Sequence, residues 1–200
     1  YNNNIHDESS LWYPVDDFWD NLSVSKITYD PENTEIFYVS TGEANTAIAT
    51  YRESSSRGVG IWKSIDAGES WELLESTYPF EYITDIEVKR EGNNSELYAS
   101  VVSGIYQGEE HQSDPSDGLY RSIDYGDSWE QVLPNIIGGN TPYSPSDIEI
   151  TSSTIRVSFF LICSNSLVNS QIISREFLFK IEVLLFPTAT YIYSVKPYSF

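Results

Sequence analysis

The sequence predicts an all-β fold made of a repeated four-stranded unit, and two observations support this prediction. An octapeptide at residues 64–71 returns almost unchanged at residues 122–129, 58 positions later, with the shared pattern Ser-x-Asp-x-Gly-x-Ser-Trp. Strand-like apolar runs surround both copies at a nearly constant offset. A return at a fixed interval is typical of repeat architectures whose units are small supersecondary structures.

Each fixed position of the octapeptide has a mechanical reason. An Asp two residues before a Gly favours a tight turn, because the carboxylate accepts backbone N–H bonds while the Gly takes a positive φ. The Trp can then fold back onto the hairpin and bury its ring. We therefore interpret each copy as a β-hairpin connection and not as a catalytic centre. The fixed residues are Ser64, Asp66, Gly68 and Trp71 in the first copy and Ser122, Asp124, Gly126 and Trp129 in the second.

This pattern resembles the Asp-box, or BNR repeat, of β-propellers such as sialidases, xyloglucan-degrading hydrolases and the sortilin ectodomain. The resemblance implies a partial β-propeller, with two four-stranded blades that carry Asp-box hairpins and the start of a third blade. In that family the box is a structural device on the outer hairpin of a blade. It therefore implies a fold more firmly than an activity.

The predicted strands follow the same order in both units. In the first unit they are residues 24–29, 36–39, 58–63 and 71–74, and in the second 83–88, 97–101, 118–121 and 129–133. Residues 146–150 parallel residues 84–88 and begin a third unit. The resulting division is a lead-in or the end of a preceding blade at 1–22, blades at 23–80 and 81–135, the start of a third blade at 136–150, and an atypical apolar tail at 151–200.

The tail differs in composition from the rest of the chain. Residues 151–200 contain no Gly, Asp or Trp, whereas the first 150 residues hold all 11 Gly and all five Trp. A C-terminal strand pair and a partner-binding extension are both possible readings of this segment. Our hypothesis is that the sequence after Ile150 is not the native continuation of the repeat, for instance because of a shifted reading frame.

Composition excludes some functions. A formal net charge of −19 argues against nucleic-acid binding, which needs clustered Lys and Arg. Cys163 is the single cysteine, so no internal disulfide can form, and no apolar run has the length of a membrane span. The chain starts at Tyr1 and contains no Met, so we expect the true N-terminus to lie upstream. The absence of a visible signal peptide is uninformative for that reason.

Two long connections are the candidate binding region. Residues 42–57 and 103–117 should lie together on one face, near the central channel, while the short turns share the opposite face with the octapeptides. Glu43, Glu109 and Glu110 are candidate acid and base residues for glycoside hydrolysis. The alternative is that these carboxylates are ordinary solvated loop residues, since Asp and Glu are abundant throughout this chain.

We expect no cofactor and no metal, with a calcium ion as the lesser alternative. The second connection carries several possible oxygen ligands, but His111 has no second His nearby to complete a transition-metal site. The possible calcium ligands are Glu109, Glu110, Asp114 and Asp117.

The resemblance to sialidases does not extend to their catalytic residues. That activity uses three Arg for the substrate carboxylate together with a Tyr and Glu pair, and the first 150 residues hold only Arg52, Arg57, Arg90 and Arg121. Arg121 is predicted to lie in a strand and Arg90 in a turn on the wrong face. The two Asp of xyloglucan-degrading hydrolases cannot be matched to this chain residue by residue.

The aromatic residues beside the octapeptides are predicted to serve in packing. Trp62 and Tyr120 occupy equivalent positions, as do Trp71 and Trp129, and repeated aromatics in a blade are mostly core. Outside the repeated strands, Tyr51, Tyr78 and Tyr106 are the better candidates for exposed contacts.

These observations favour a non-catalytic binding or scaffold module of a larger extracellular or cell-surface propeller protein. Its ligand would be a glycan or a protein on the face of the long connections, and its other partners would be the remaining blades of the parent protein. The alternative is a fragment of a secreted glycoside hydrolase of the sialidase or xyloglucanase kind. By itself, the chain is not expected to be an enzyme.

Overall fold

The computed structural model describes most of the chain up to Ile150 and three later segments. The described residues are 2, 4, 6–15, 19–20, 23–43, 56–92, 94–102, 106–107, 110–111, 117–134, 143–150, 155–161, 177–183 and 193–197. These residues form strands, turns and one three-residue 3₁₀ turn, Glu75–Thr77. Within them, no helix is long and apolar enough to cross a membrane.

The described strands run through the whole chain from Val24 onward. They are β1 (Val24–Tyr29), β2 (Phe37–Thr41), β3 (Ile61–Ser64), β4 (Glu72–Leu73), β5 (Tyr82–Glu91), β6 (Asn94–Val102), β7 (Tyr106–Gln107), β8 (Glu110–His111), β9 (Gly118–Ser122), β10 (Glu130–Pro134), β11 (Tyr143–Ile150), β12 (Ile155–Leu161), β13 (Phe177–Val183) and β14 (Tyr193–Pro197). β3 and β4 are shorter than the sequence predicts.

The strands assemble into four-stranded antiparallel meanders. The first sheet has the order β1-β2-β3-β4, the second β5-β6-β9-β10 and the third β11-β12-β13-β14. The small hairpin β7-β8 is inserted in the long connection between β6 and β9. The chain thus builds one sheet completely before it starts the next.

The sheets pack face to face with their first strands adjacent. β1 contacts β5, and β5 contacts β11, so the second sheet lies between the other two. Successive meanders whose first strands lie side by side are the arrangement of propeller blades. The prediction of an all-β fold with four-stranded blades is confirmed.

A buried apolar layer joins the first two sheets. It contains Tyr38 and Ile61 from the first sheet, and Phe80, Ile83, Ile86, Leu97, Ala99 and Val101 from the second. Along β6, Leu97, Ala99 and Val101 alternate with residues on the other face, as expected for a strand with period two. These three side chains therefore point toward the first sheet.

A second apolar layer joins the second and third sheets. Tyr98 and Leu119 of the second sheet pack with Ile148, Ile155 and Val157 of the third. β6 therefore buries both of its faces, with every residue from Ser95 to Val102 inaccessible or nearly so. Such two-sided burial explains why residues 97–102 read as one continuous run of small and apolar residues.

The third sheet is more complete than the sequence predicts. The pattern was expected to stop after Ile150, but β12, β13 and β14 complete a third four-stranded meander. Ile155 and Val157 are buried against the second sheet. Whether the tail is the native continuation of the repeat stays a prediction.

A β-bulge recurs at the same place in the first strand of each sheet, that is, in β1, β5 and β11. The register with the neighbouring strand shifts between Val24 and Lys26, between Ile83 and Asp85, and between Pro145 and Asp147. The residue skipped each time carries a hydroxyl, namely Ser25, Thr84 and Ser146. The residue after the bulge is charged each time, namely Lys26, Asp85 and Asp147. The sequence analysis aligned Asp147 with Asp85 but did not recognise Lys26 as their equivalent.

The face of the first sheet that points away from the second sheet is exposed to solvent. The corresponding face of the second sheet is buried against the first. Ile27 and Tyr29 of β1 are 61% and 53% exposed, whereas Ile86, which takes the place of Ile27 in β5, is fully buried against the first sheet. The same position in the repeat is thus solvent-exposed in one sheet and core in the next.

We expect Ile86→Ser and Ile27→Ser to have very different effects on stability. Ile86→Ser leaves a cavity and a buried hydroxyl and should lower the free energy of unfolding by about 2–5 kcal/mol. Ile27→Ser replaces an exposed side chain and should change the free energy of unfolding by less than about 0.5 kcal/mol. Urea unfolding followed by Trp fluorescence measures both. Equal losses in the two variants would contradict the packing described above.

Candidate functional site

The first octapeptide is a tight turn closed by its own side chains. The Oγ of Ser64 donates to Asp66 Oδ1 at 2.7 Å and accepts the backbone N–H of Gly68 at 2.8 Å. Asp66 Oδ1 also accepts the backbone N–H of Ser70 at 2.9 Å, and the Ser70 hydroxyl donates to Asp66 Oδ2. Ser64 and Asp66 therefore replace the backbone ladder where the chain reverses between β3 and β4.

The second octapeptide repeats this network atom for atom. Ser122 Oγ donates to Asp124 Oδ1 at 2.7 Å and accepts the Gly126 N–H at 2.8 Å, while Asp124 accepts the N–H of Ser128 at 2.9 Å. It joins β9 to β10. The prediction that both octapeptides are hairpin connections is confirmed.

Two successive residues of each turn have positive φ. Gly68 and Gly126 have φ values of 88° and 97°, as the sequence predicts. The residues before them, Ala67 at 58° and Tyr125 at 60°, also adopt the left-handed conformation although they carry a Cβ. The sequence pattern gives no signal for these two, since the position before each Gly varies.

The turn carboxylates have low pKa values. Hydrogen bonds from the side chain and backbone of Ser70, and then from Ser64, lower the pKa of Asp66 to about 2. The equivalent bonds from Ser128, opposed by slight burial and joined by Ser122, lower the pKa of Asp124 to about 2. Both groups are ionised hydrogen-bond acceptors at neutral pH, which suits a structural role better than proton transfer.

The second octapeptide also docks on the first sheet. Lys63 donates to the carbonyl of Tyr125 at 3.0 Å, and its ammonium lies over the rings of Tyr38 and Tyr125. The hydroxyl of Ser76 donates to the carbonyl of Gly126. The connector therefore links one sheet to the sheet before it as well as reversing its own chain.

Each of the first two sheets has an aromatic cluster beside its octapeptide. Trp19 stacks on Trp62 with ring centroids 4.5 Å apart and meets Trp71 edge-on at 5.6 Å. In the second sheet, Phe80 contacts Tyr120 at 4.7 Å and Trp129 at 5.6 Å. In each unit, an aromatic residue that precedes the first strand, Trp19 or Phe80, thus covers the aromatic pair beside the octapeptide. The prediction that these pairs serve in packing is confirmed.

The two Trp residues of the octapeptides are not equivalent in every contact. Trp71 Nε1 donates to the carbonyl of Gly68 at 3.0 Å, so this ring folds back onto its own turn as predicted. Trp129 Nε1 is buried without a hydrogen-bond partner and its ring packs in the layer between the sheets.

A groove of about 600 Å³ lies between the two octapeptides, over β4. Its position on the octapeptide end of the sheets was not anticipated from the sequence. It is lined by Lys63, Ile65, Ser70, Trp71, Glu72, Leu73, Leu74, Glu75, Ser76, Gly126 and Asp127. Three acidic side chains and one Trp edge make it a mixed polar and apolar surface.

At the opposite end, the long connections begin and end in a tightly packed backbone. The Thr41 hydroxyl donates to the carbonyl of Gly60 at 2.7 Å and accepts the N–H of Val59 at 2.9 Å. Gly58 donates its N–H to the carbonyl of Glu81 at 2.7 Å, and a Cβ on Gly58 would lie 2.5 Å from the carbonyl oxygen of Thr41. Only glycine fits at this crossing.

Of the acid and base candidates predicted from the sequence, the structure describes the side chain of Glu43, which lies at this end of the sheets. Glu43 is exposed, its N–H donates to the carbonyl of Ser56, and its carboxylate accepts the N–H of Ser56 at 3.4 Å. Glu109 lies outside the described residues, and Glu110 is in β8, where only the backbone is described. The catalytic role of all three stays a prediction.

The charged residues described near the candidate carboxylates are engaged in the fold. Arg57 forms an ion pair with Glu81. Asp117, expected to be a solvated loop carboxylate with calcium binding as the lesser alternative, is instead fully buried, and its backbone carbonyl accepts a hydrogen bond from Gln131 at 3.0 Å. In the part of the chain that the structure describes, no cluster of His, Cys, Asp and Glu could hold a metal ion.

Two arginines have structural partners away from the long connections. Arg90 lies in β5, not in a turn as predicted, and forms an ion pair with Glu32 of the first sheet. Arg121 lies in β9 as predicted and pairs with Glu96, which also accepts the Tyr98 hydroxyl at 2.7 Å. Burial alone would raise the pKa of Glu96, but these hydrogen bonds outweigh it and lower that pKa.

The predicted contact residues have mixed outcomes. Tyr78 is 59% exposed, as expected. Tyr51 lies outside the described residues, and Tyr106 is in β7, where only the backbone is described.

Comparison with known proteins gives a distant similarity to xyloglucanases. No protein-family model matches the chain. It is 28% identical over 140 residues to a xyloglucanase of Paenibacillus sp., an alignment that covers 62% of this chain and 12% of that protein. The chain therefore spans a small part of the length of this relative.

Two solved structures are similar at low identity. The GH74 xyloglucanase of Xanthomonas campestris matches with a TM-score of 0.45 and 14% identity, over 82% of this chain and 23% of that chain. The GH74 enzyme of Niastella koreensis matches with a TM-score of 0.43 and 16% identity, over 86% of this chain and 30% of that chain.

We expect alanine at Gly126 to be worse tolerated than alanine at Gly68. Both substitutions force a Cβ into a positive φ, at a cost of about 1 kcal/mol. At Gly126 the new Cβ also lies 2.5 Å from Leu74 Cδ1 of the first sheet, whereas at Gly68 its nearest neighbour is Trp71 Cζ2 at 3.5 Å. Gly126→Ala should cost roughly 1 kcal/mol more, measured by chemical denaturation.

Gly92→Ala is the control for the backbone term alone, since Gly92 has a φ of 65° and open space around it. If Gly126→Ala is no more destabilising than Gly68→Ala and Gly92→Ala, the second octapeptide does not dock on the first sheet in solution.

We expect both octapeptide hairpins to lose stability in acid. The pKa values of Asp66 and Asp124 are about 2 in the folded chain, below the value of about 3.9 for an unfolded Asp. Their contribution is therefore complete above about pH 4 and is lost as the pH falls through about 2. Near-UV circular dichroism of the Trp residues measures this, and Asp66→Asn with Asp124→Asn should flatten the acid limb. An unchanged acid limb in the double variant would contradict this assignment.

Proposed function

We propose that the chain is part of a secreted glycoside hydrolase of the xyloglucanase kind, in which its sheets form propeller blades that help to bind a branched β-glucan. The observation that carries this proposal is the 140-residue similarity to a xyloglucanase, which covers 62% of this chain. The extracellular location follows from the same proposal, because a xyloglucan-degrading enzyme meets its polymer outside the cell.

The octapeptide geometry supports the propeller part of this proposal. The two hairpins share the same internal hydrogen-bond network, and the second hairpin also bonds to the preceding sheet. Both features suit a structural Asp-box. We assign both copies to the Asp-box repeat on this basis. In this assignment, Ser64, Asp66, Ser122 and Asp124 maintain the blades and take no part in hydrolysis.

The proposed ligand region is the end of the sheets that carries the long connections. The opposite end is occupied by the short turns and the octapeptides, whose side chains bond to one another. Asp30 of the first β-turn accepts a hydrogen bond from Ser95 of the next, which ties these turns together. The long connections lie at the other end, where Glu43 offers an exposed carboxylate.

A non-catalytic binding or scaffold module is the second candidate. It is favoured by the contacts of the described charged residues near the long connections, since Glu43 accepts a backbone N–H and Arg57 pairs with Glu81. Groups held in this way position loops and do not need to transfer protons. In this reading the ligand is a glycan or a protein bound without turnover.

We also propose that the remaining blades of the parent protein cover the first sheet. Val24, Ile27 and Tyr29 are exposed on the face that precedes this sheet, while Ile83 and Ile86 at the equivalent places of β5 are buried by a neighbouring sheet. Burying an apolar surface of this kind is favourable at about 25 cal/mol per Å².

The test is hydrolysis and binding by the protein made from the complete gene. We expect reducing sugar to be released from xyloglucan and none from a sialylated oligosaccharide, because Arg57, Arg90 and Arg121 are engaged in ion pairs with Glu81, Glu32 and Glu96. Glu43→Gln and Glu110→Gln should weaken binding to xyloglucan in affinity electrophoresis. Glu75→Gln, in the groove at the other end, is the matched control and should bind normally.

The outcomes separate the two candidates. Xyloglucan binding without turnover would overturn the hydrolase proposal and favour the binding module. Turnover that falls about 100-fold or more in Glu43→Gln or Glu110→Gln, with binding retained, would identify that residue as an acid or base and overturn the purely scaffolding role. Absence of both xyloglucan binding and turnover would overturn the hydrolase proposal and exclude a xyloglucan-binding module.

A further inference from the structure

The carbonyl of the fixed Gly has a different donor in each octapeptide. The Gly68 carbonyl accepts the indole N–H of Trp71, in the same turn, at 3.0 Å. The Gly126 carbonyl accepts the hydroxyl of Ser76, which follows β4 of the first sheet. The indole N–H of Trp129 is buried without a partner among the described residues. In the second copy, a hydroxyl of the preceding sheet has therefore replaced the Trp of the turn as the donor.

The second octapeptide has two further contacts with the first sheet. The carbonyl of Tyr125 accepts the ammonium of Lys63 at 3.0 Å. A Cβ on Gly126 would lie 2.5 Å from Leu74 Cδ1. A cation, a hydroxyl and an aliphatic side chain of one sheet thus receive the connector of the next sheet.

The first octapeptide has the same turn without these contacts. Among the described residues, only Trp71 lies within 4 Å of the position that a Cβ on Gly68 would take. Ala67 holds the place of Tyr125 and is exposed. The equivalents of these residues and of the exposed β1 positions all contact the first sheet in the second unit, so they face one side. We call them the leading surface, made of Val24, Ile27, Tyr29, Ala67 and Gly68.

The charged residues of the first strands also show that the leading side is open. Asp85 Oδ1 bonds to the Lys26 ammonium at 3.0 Å and its Oδ2 accepts the N–H of Ile148 at 2.8 Å, so Asp85 joins the first sheet to the third. Lys26 holds the equivalent place in β1, and its described partners, Asp85 and Glu87, both lie in the second sheet. In the described part of the chain, the second sheet is thus bonded on both sides and the first sheet on one.

The residues before β1 do not take the place of a preceding sheet. Trp19 covers the aromatic pair of the first sheet in the way that Phe80 covers that of the second. Phe80 does so while the first sheet is packed against the same layer. Trp19 therefore leaves room for a further sheet.

The first two sheets of a second copy have no free pair of donors for this surface. Lys63 and Ser76 are already bonded to the second octapeptide of their own chain. Arg121, in the place of Lys63, pairs with Glu96, and Pro134, in the place of Ser76, has no hydroxyl. This favours a sheet from outside the chain.

We propose that the leading surface is the docking site for the sheet that precedes β1 in the parent protein, and that this sheet carries a matching pair of donors. A Lys or Arg directly before its own octapeptide bonds to the Ala67 carbonyl, and a hydroxyl after its fourth strand bonds to the Gly68 carbonyl. Docking transfers the Gly68 carbonyl from Trp71 to this hydroxyl, as found at Gly126. The inference rests on the proposed propeller parent and names the chemistry of the covering sheet.

Ser76→Ala tests the exchange of donors within this chain. Without the hydroxyl, the Trp129 indole N–H should bond to the Gly126 carbonyl, and its proton–nitrogen NMR resonance should move toward that of Trp71. Ser70→Ala removes a hydroxyl of the first octapeptide and is the control, which should leave the Trp129 resonance in place. An unchanged Trp129 resonance in Ser76→Ala would overturn the exchange.

Thiol labelling with N-ethylmaleimide tests the docking itself. Ile27→Cys is made in this chain and in the protein from the complete gene, and the labelled peptide is quantified by mass spectrometry. Labelling should be roughly tenfold or more slower in the complete protein, because a thiol buried between sheets reacts only when they open. Ile65→Cys is the matched control and should label equally in both proteins, because its equivalent Ile123 stays 65% exposed in the docked copy.

Each outcome decides the proposal. Equal labelling of Ile27→Cys in the two proteins, or equal protection of Ile65→Cys and Ile27→Cys, would overturn the docking site. Protection that appears in this chain alone and rises with its concentration would assign the surface to a second copy instead. A preceding unit in the complete gene that lacks both donors would overturn the roles of the Ala67 and Gly68 carbonyls.

These measurements do not depend on xyloglucan. An inactive complete protein that protects Ile27→Cys would contradict the hydrolase proposal and support the docking site. An active protein without this protection would do the reverse.

Discussion

Burial of the second sheet on both of its faces is the constraint on which the rest of the structure depends. A four-stranded sheet of this size exposes two apolar faces and cannot form a core alone, so it needs a neighbour on each side. β6 satisfies this need, with Leu97 and Val101 against the first sheet and Tyr98 against the third. The first and third sheets are each positioned by the face of this second sheet that they cover.

The octapeptides are as much a part of this packing as the apolar layers. Within one hairpin, Ser122 and Asp124 satisfy backbone N–H groups that a tight reversal leaves without partners. The same reversal then presents the carbonyls of Tyr125 and Gly126 to Lys63 and Ser76 of the sheet before it. A local turn motif thus also forms a contact between successive sheets. This explains why the turn residues and the Trp of the octapeptide recur together in the sequence.

Much of this arrangement could be predicted because it depends on local chemistry. The Ser-x-Asp-x-Gly-x-Ser-Trp pattern indicates a hairpin, since hydrogen bonds between residues two and four positions apart are fixed by the turn itself. The equivalence of Lys26 with Asp85 and Asp147 was missed, because Lys26 differs from them in type and sign and shares only their place in the register after a bulge. The burial of Asp117 was missed for a similar reason, since nothing in its neighbouring residues distinguishes it from a solvated loop carboxylate.

By itself, the sequence determined the strand order within the first two units, the two hairpin connectors and the aromatic pairs beside them. Each of these depends on residues close together in the chain. Only the tertiary structure decided which carboxylates are buried, where the groove between the connectors lies and how Asp85 joins the first sheet to the third. These features depend on which faces of separate sheets come together, and a contact between residues about 60 positions apart leaves no local pattern from which it could be inferred.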